Sequence, residues 1–455
     1  MAVRSDLLSD ASGFTGHAED CFAPAGEAEI CALLREAAGK GIPVTVAGAG
    51  TGVTGGRVAM GGWVLSLEKL SGIEIRPGSA EAGAGASLAG LQAAAGRSGQ
   101  FYAPDPTETS ASIGGTIATN ASGSRSFRYG DTRRHVRRLR VVVAGGRLLD
   151  VRRGEAVDFE VPALHVPRTT KHSAGFRLWP GMDWVDLFVG SEGTLGVITG
   201  AEVALLPSPA ELFTGVVFFP SEDAVLNAVD AWRAAPGLRM LEYLDGASLR
   251  LLRERFDDVP REARGALLLE QELDGLGEEE IDRWERRMEE AGALAEASWF
   301  AAGERDRERF RVFRHALPER VNDIARRNGF QKLGSDYAVP PASNREMMAY
   351  YRARLNAEFP GQYVVFGHIG DAHVHVNLLP ATAEQFDRGR NLMVELARKA
   401  VELGGTVSAE HGLGKRKAHL LELQYSPVEI EAMKAVKRRL DPQWLLGRGT
   451  LFPGE

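Results

Sequence analysis

Cysteine is almost absent: Cys21 and Cys31 are the only two in 455 residues, and they do not form a CxxC spacing. That excludes a disulfide framework and a thiolate metal cluster. No apolar run approaches the roughly 18 residues of a membrane helix, and the start, MAVRSDLLSDASGF, lacks the apolar core of a signal peptide. A cytoplasmic protein with no transmembrane segment is the expectation. Positive charge is not in excess either: the net charge is -7, and the basic residues are dispersed in short groups such as VRRLR and KRK. A nucleic-acid partner is therefore not expected. Period-like repeats and low-complexity tracts are missing as well.

What is present is a chain 44% hydrophobic, able to bury a large core and long enough for two or three domains. EAEICALLREAAGKG has the 3.6 periodicity and glycine stop of a helix, and PVTVA then reads as a short strand. RLRVVVAGGRLLDV predicts a hairpin turning at Gly145-Gly146. Near LLPSPAELF, residues 205 to 213, glycine density falls and two prolines mark a boundary. Charged helices follow, EEEIDRWERRMEEAG and RERFRVFRHALPERVNDIARRNG, between strands FTGVVFF, ALLLEQEL and QYVVFG. The fold class expected is α+β in both halves.

GAGTGVTGG carries the GxGxxG spacing at Gly50, Gly52 and Gly55. A dinucleotide fold needs a helix to open directly from such a loop. Here GRVAMGG and then the strand WVLSL follow, and four glycines within residues 55 to 62 do not sustain a helix. The nicotinamide-type fold is rejected, while a backbone nest for a diphosphate stays open. PDPTETSASIGGTIATNASGS, residues 104 to 124, offers hydroxyls, Asn120 and the pair Gly114-Gly115 for close approach of a flat ligand. GSEGTLGVIT, residues 190 to 199, repeats that chemistry. Three such loops in one half of the chain favour an extended cofactor over surface turns.

HIGDAHVHVN, residues 368 to 377, alternates so that His373, His375 and Asn377 share one strand face, and His368 can fold back from the Gly370-Asp371 turn. A helix capped by Thr382, with Gln385 completing a capping box, leads through VELGG to TVSAEHG. Glu410 and His411 are adjacent and expected to point differently. Two histidines and a carboxylate suit Zn or another divalent ion with a position left for substrate. Histidines that merely hydrogen-bond at a domain interface would give the same pattern.

Together GAGTGVTGG, PDPTETSASIGGTIATNASG, YGDTRRHV, GSEGTLGVIT, HIGDAHVHVN and SAEHGLGKRK resemble the vanillyl-alcohol-oxidase (PCMH-type) flavoprotein superfamily. The branch is that of D-lactate dehydrogenases, D-2-hydroxyglutarate dehydrogenases and the FAD-linked chains of glycolate oxidase. The resemblance implies a two-subdomain FAD-binding domain over residues 1–207, a ferredoxin-like substrate cap over 208–425, and a segment 426–455 returning to the FAD domain. It implies FAD lined by Gly48, Gly50, Thr51, Gly52, Thr54 and Gly55. From the second and third loops it adds Asp105, Pro106, Thr107, Ser112, Gly114, Gly115, Thr119, Asn120, Gly193, Gly196, Val197 and Ile198. Relatives that hold flavin covalently carry a histidine in or near the glycine loop, so FAD here is expected to be non-covalent. A divalent metal, Zn in the first instance, is implied on His368, His375 and Glu410, with His411 as proton acceptor. Arg314, Asn377 and Lys332 are the implied substrate contacts. The activity implied is oxidation of a small D-2-hydroxy acid. Its electron acceptor would be a quinone, an electron-transfer flavoprotein or an iron-sulfur protein, which the sequence does not distinguish. A metal-dependent hydrolase without flavin and a FAD-binding electron carrier of a larger complex are the alternatives. The chain departs from the family at Ala372-His373, where relatives usually have Gly-Asn, and His373 is left without a role. It also departs at Gly334, where relatives acting on dicarboxylates carry the lysine that here is displaced to Lys332, and in GRGT near the end, where relatives tend to read NPGK.

Overall fold

The computed structural model describes residues 4–274, 276 and 279–454. The helix expected from EAEICALLREAAGKG spans Glu27–Lys40 and stops at Gly41, whose left-handed backbone frees the chain to turn. Its buried face, Ile30, Cys31, Leu34 and Ala37, covers a three-stranded parallel sheet in the order Asp20–Phe22, Trp63–Ser66, Val44–Ala47. No helix follows the glycine loop after Val44–Ala47, in keeping with the rejected dinucleotide fold. A five-stranded antiparallel sheet comes next, ordered Ile73–Arg76, Ser79–Gly83, Val197–Ala204, Val136–Val142, Leu148–Arg152. Its last two strands are the predicted hairpin, turning at Gly146 with φ 73°.

The chain changes sheets where the prolines occur. Val197–Ala204 belongs to the five-stranded sheet, and Leu212–Phe219 opens a seven-stranded antiparallel one. That larger sheet is ordered Trp299–Phe300, Leu212–Phe219, Gly265–Glu272, Leu238–Asp245, Tyr363–Gly367, His375–Leu378, Leu333–Gly334. FTGVVFF shows why it is central. Val217 and Phe219 pack on one face with helix Glu222–Trp232, Val216 and Phe218 on the other with helices Gly246–Leu252 and Glu304–Asn328, and all four are fully buried. The helix expected from EEEIDRWERRMEEAG is described from Glu279 to Glu290, Glu278 lying outside the described residues. No described helix is long and apolar enough to cross a membrane. Both cysteines are free thiols.

Two local expectations need correction. Thr382 caps helix Ala383–Glu402 through its side chain, but Gln385 accepts from Ala381 N (2.8 Å) rather than from Thr382, so the box is not closed on the cap residue. The histidine strand is also shorter, His375–Leu378, because Ala372 takes a left-handed backbone (φ 51°) and breaks the alternation before His373. At the other end, Val44 N donates to Leu445 O (2.7 Å) and Gly447 N to Val44 O (3.0 Å), joining residues 445–447 to the first sheet.

Candidate functional site

One cavity of about 1670 Å³ runs between the glycine-rich half and the seven-stranded sheet. On its wall are Gly48, Gly50, Thr51, Gly52 and Thr54 from the first loop, and Pro106, Thr107, Ser112, Gly114, Gly115 and Thr119 from the second. Gly193, Gly196 and Ile198 come from the third. Gly55, Asp105, Asn120 and Val197 are not on that wall. Asn120 explains itself: its left-handed backbone turns the chain, and its amide bridges Asp131 Oδ2 (2.8 Å) and Arg133 N (2.9 Å). Asp105 pairs with Arg125, and Val197 lies in the core beneath the first sheet. Asp10 to Phe14 also line the cavity, a contribution for which the sequence carries no signal.

The loops are fixed to one another before any ligand is considered. Ser112 Oγ caps helix Ile113–Ala118 through Gly115 N and stands where a β-carbon on Gly48 would lie, 2.5 Å away. Arg57 donates to Gly48 O (2.7 Å) and Ser9 O (2.9 Å). Gly52 differs: a β-carbon there would meet one protein atom, Asp10 Oδ2, at 3.9 Å. Packing does not demand glycine at that position, whereas an unobstructed cavity wall does. The three loops thus offer a long, flat, phosphate-bearing cofactor their backbone along one cavity wall and, at Gly52, space kept free of side chains.

The cap reaches into the same space through HGLGK. Glu192, in the third loop with φ 52°, accepts from Leu413 N (2.9 Å) and Gly414 N (2.8 Å). Lys415 N and Arg416 N donate to Thr54 O (3.0 and 2.9 Å). Residues 413–416 are therefore clamped between the first and third loops, which fixes His411 beside them. Burial pushes the Glu192 carboxyl up to about 7, although the two amides and Lys415 pull the other way.

At the cap end, His368 Nε2 and His375 Nε2 each lie 3.3 Å from Glu410 Oε1. His368 Nδ1 faces Glu242 Oε1 at 2.6 Å, and His375 Nδ1 faces the Ser335 carbonyl at 3.1 Å. Because these outer partners accept, each Nδ1 is the donor and each Nε2 is turned toward Glu410. The donor set and its outer partners fit a divalent cation held by His368, His375 and Glu410. Burial disfavours a charged His368, yet Glu242 and Glu410 overcome it and raise the imidazole to about 9. Burial would also raise Glu410; Lys171 and His368 instead hold it well below the carboxylate range.

Glu410 and His411 do not diverge as expected: His411 Nε2 is 3.7 Å from Glu410 Oε1, so both converge on one point. His411 Nδ1 lies 3.3 Å from Asp336 Oδ1, and its side chain is 33% exposed on the cavity wall, open to a ligand. Burial lowers its pKa, with Asp336 and Glu410 opposing. Asp336 itself is fixed by Ser408 Oγ (2.7 Å) and His411 N (3.0 Å). His373 is fully buried, its pKa lowered to about 3 by desolvation, and neither ring nitrogen is hydrogen-bonded. Its Nε2 lies 3.1 Å from Asp336 Oδ1, a misaligned contact that opposes the fall in pKa without making a good hydrogen bond. Arg314, Asn377 and Lys332 all line the cavity, and Arg314 spends two donors on Glu242 (3.1 and 3.2 Å).

Three residues escaped the sequence. Lys171 is wholly buried with Nζ on Glu410 Oε2 (3.3 Å), Asp371 Oδ2 (3.5 Å) and Gly123 O (2.9 Å). It comes from a stretch without regular structure, where periodicity gives no handle. Glu242 and Asp336 did leave a signal, the first a lone acid in the apolar strand stretch MLEYL and the second the one acid of SDYAV just past a strand end, where a buried charge needs a partner.

Residues 208–451 match the family described as FAD linked oxidases, C-terminal domain, and residues 20–152 match FAD binding domain. The chain is 32% identical over 437 residues to a D-lactate dehydrogenase of Archaeoglobus fulgidus, covering 94% of this chain and 89% of the relative. It is 30% identical to glycolate oxidase subunit GlcD of Bacillus subtilis, over 94% of this chain and 88% of that one. A D-2-hydroxyglutarate dehydrogenase of Xanthomonas citri pv. viticola is also 30% identical, with 94% and 88% covered. Among solved structures, alkyldihydroxyacetonephosphate synthase shares the fold with a TM-score of 0.66 at 15% identity, over 96% of this chain and 77% of that one. These matches span nearly the whole chain: it belongs to the FAD-linked oxidase family and is an oxidoreductase.

Proposed function

We propose that the protein oxidises a D-2-hydroxy acid to the 2-oxo acid, using non-covalently bound FAD and a divalent metal ion held by His368, His375 and Glu410. The observation that carries this is the convergence of two imidazole nitrogens on Glu410 Oε1, each at 3.3 Å, in the wall of the cavity that the glycine loops also line. The names of relatives, D-lactate dehydrogenase and D-2-hydroxyglutarate dehydrogenase, supply the substrate class and its hand. Bound FAD supplies the acceptor for the hydride leaving C2, and the divalent ion supplies Lewis-acid polarisation of the hydroxyl.

The chain's own residues do the rest. His411 takes the hydroxyl proton at Nε2, since Nδ1 faces Asp336 and burial keeps the ring neutral. Asp336 orients that ring and stabilises the imidazolium that forms. Arg314 keeps donors beyond those used on Glu242, and with Lys332 and Asn377 it provides the carboxylate end of the substrate site. The glycine loops hold the cofactor by backbone, with Gly52 keeping the wall clear.

Anaerobic mixing with a panel of D- and L-2-hydroxy acids tests the proposal. Flavin absorbance is expected to bleach with at least one D member and not with its mirror image. A folded protein that binds no flavin sinks it, and a flavoprotein that no member bleaches is an electron carrier instead. His411→Ala is expected to retain FAD and metal while losing bleaching by about 100-fold or more. Chelation should abolish bleaching and metal readdition should restore it; bleaching that survives verified metal removal refutes the metal's part.

A further inference from the structure

His373 has no place in the chemistry above, yet it is the most anomalous side chain near it. The ring is fully buried, and both of its nitrogens are without a hydrogen bond. So is Asp336 Oδ1, the nearest acceptor. Buried polar atoms are nearly always paired, and two orphans in one imidazole call for a partner. Apolar contacts do not supply one, because the ring's neighbours are polar: its centroid lies 4.6 Å from that of His375 and 5.2 Å from that of His368.

One nitrogen of His373 lies within 4.8 Å of the donor atoms of His368, His375 and Glu410. Donors around one Zn at about 2.1 Å stand about 3.4 Å apart in a tetrahedron. His368 and His375 already keep that spacing from Glu410, and His373 offers a ring nitrogen within 4.8 Å of all three donors. A ligating histidine usually gives its second N–H to a carboxylate or carbonyl. His368 has Glu242 and His375 the Ser335 carbonyl; for His373 the carboxylate at hand is Asp336 Oδ1, 3.1 Å from Nε2 and not aligned with it, and its taking that role would leave Nδ1 for a cation.

We propose that His373 is a fourth protein ligand, through Nδ1, of the divalent cation, so that this chain binds its metal by three imidazoles and one carboxylate. The inference rests on the metal site proposed above. Three imidazoles make a nitrogen-rich set suited to Zn, Fe or Ni over the oxygen-seeking ions. A substrate oxygen would then enter as a fifth ligand, not a fourth.

The test uses the full chain and Zn2+ alone, with no substrate. X-ray absorption at the zinc edge is expected to show three imidazoles in the wild type and two in His373→Asn. Competition with a chromophoric chelator is expected to show Zn2+ held at least about 10-fold more weakly by the variant, the range seen even for loss of outer partners. Two imidazoles in the wild type overturn the inference without any variant and leave the His368, His375 and Glu410 site standing. An unchanged affinity in a folded variant overturns it likewise. A wild-type chain that takes up no Zn2+ overturns the metal site itself and this inference with it.

Discussion

Lys171→Met removes the ammonium buried against Glu410 and Asp371 without changing the shape of the stem. In the wild type Nζ lies 3.3 Å from Glu410 Oε2 and 3.5 Å from Asp371 Oδ2, with no exposure to solvent. At an effective dielectric of about 20, each pair attracts by about 5 kcal/mol. The desolvation of the ammonium offsets part of that, so the net expectation is the loss of about 3–5 kcal/mol that follows when one partner of a buried pair is removed. Ser122 Oγ (3.0 Å) remains on Glu410 and Thr170 Oγ1 (2.7 Å) on Asp371, neither of which carries charge. The sign with pH is fixed by Glu410, whose folded pKa lies below its unfolded one. Its contribution is present above the unfolded value of about 4.3 and fades as pH falls through the folded value. The deficit of the variant is therefore largest at neutral pH, nearly whole at about pH 4, and shrinks as pH falls further toward the folded value. Urea unfolding of the metal-free chain, followed by far-UV circular dichroism at pH 7 and at about pH 2.5, measures both quantities. A deficit under about 1 kcal/mol at pH 7, or one that does not shrink on acidification, refutes the account of Lys171 as the counter-charge of Glu410.

Two glycines should separate cofactor space from packing. Gly52→Val is expected to leave the melting temperature of the flavin-free chain unchanged and weaken FAD binding by about 10-fold or more, read by flavin fluorescence titration. Gly114→Val is expected to lower that melting temperature, because a β-carbon there comes within 2.6 Å of Ala84 Cβ and has nowhere to go. Glu192 predicts the opposite pH trend from Glu410. Its folded pKa of about 7 lies above the ordinary 4.5, so the fold favours the protonated acid. Stability then falls as pH rises from 4.5 to 7 by about 3 kcal/mol and is level above. Glu192→Gln should flatten that slope in melting curves taken across the range; an unchanged slope assigns it to another group.

The sequence announced elements whose cause is local. The glycine stop at Gly41, the hairpin at Gly146 and the apolar strand through Val216 to Phe219 each follow from residues a few positions apart. The histidine motif was legible as chemistry but only partly as geometry, since Ala372 breaks the strand and HGLGK is steered by Glu192 and Thr54, far away along the chain. Lys171 shows the limit most clearly: its role exists only because Glu410 and Asp371 arrive from more than 190 residues downstream. No pattern around RTTKHS encodes that meeting. The departures at Ala372-His373 were legible as departures, and the unpaired nitrogens of His373 give them physical content.

The pairing of Val44 with Leu446 bears on how the molecule assembles. These residues are about four hundred positions apart, and closing so long a loop as free coil is slow and entropically unfavourable. The seven-stranded sheet lies wholly within that loop, so its collapse brings the two ends together and shortens the effective search. The cap is then an internal scaffold for the lobe that encloses it. The first sheet would be the last to acquire its full set of hydrogen bonds, those between Val44 and residues 445–447 among them.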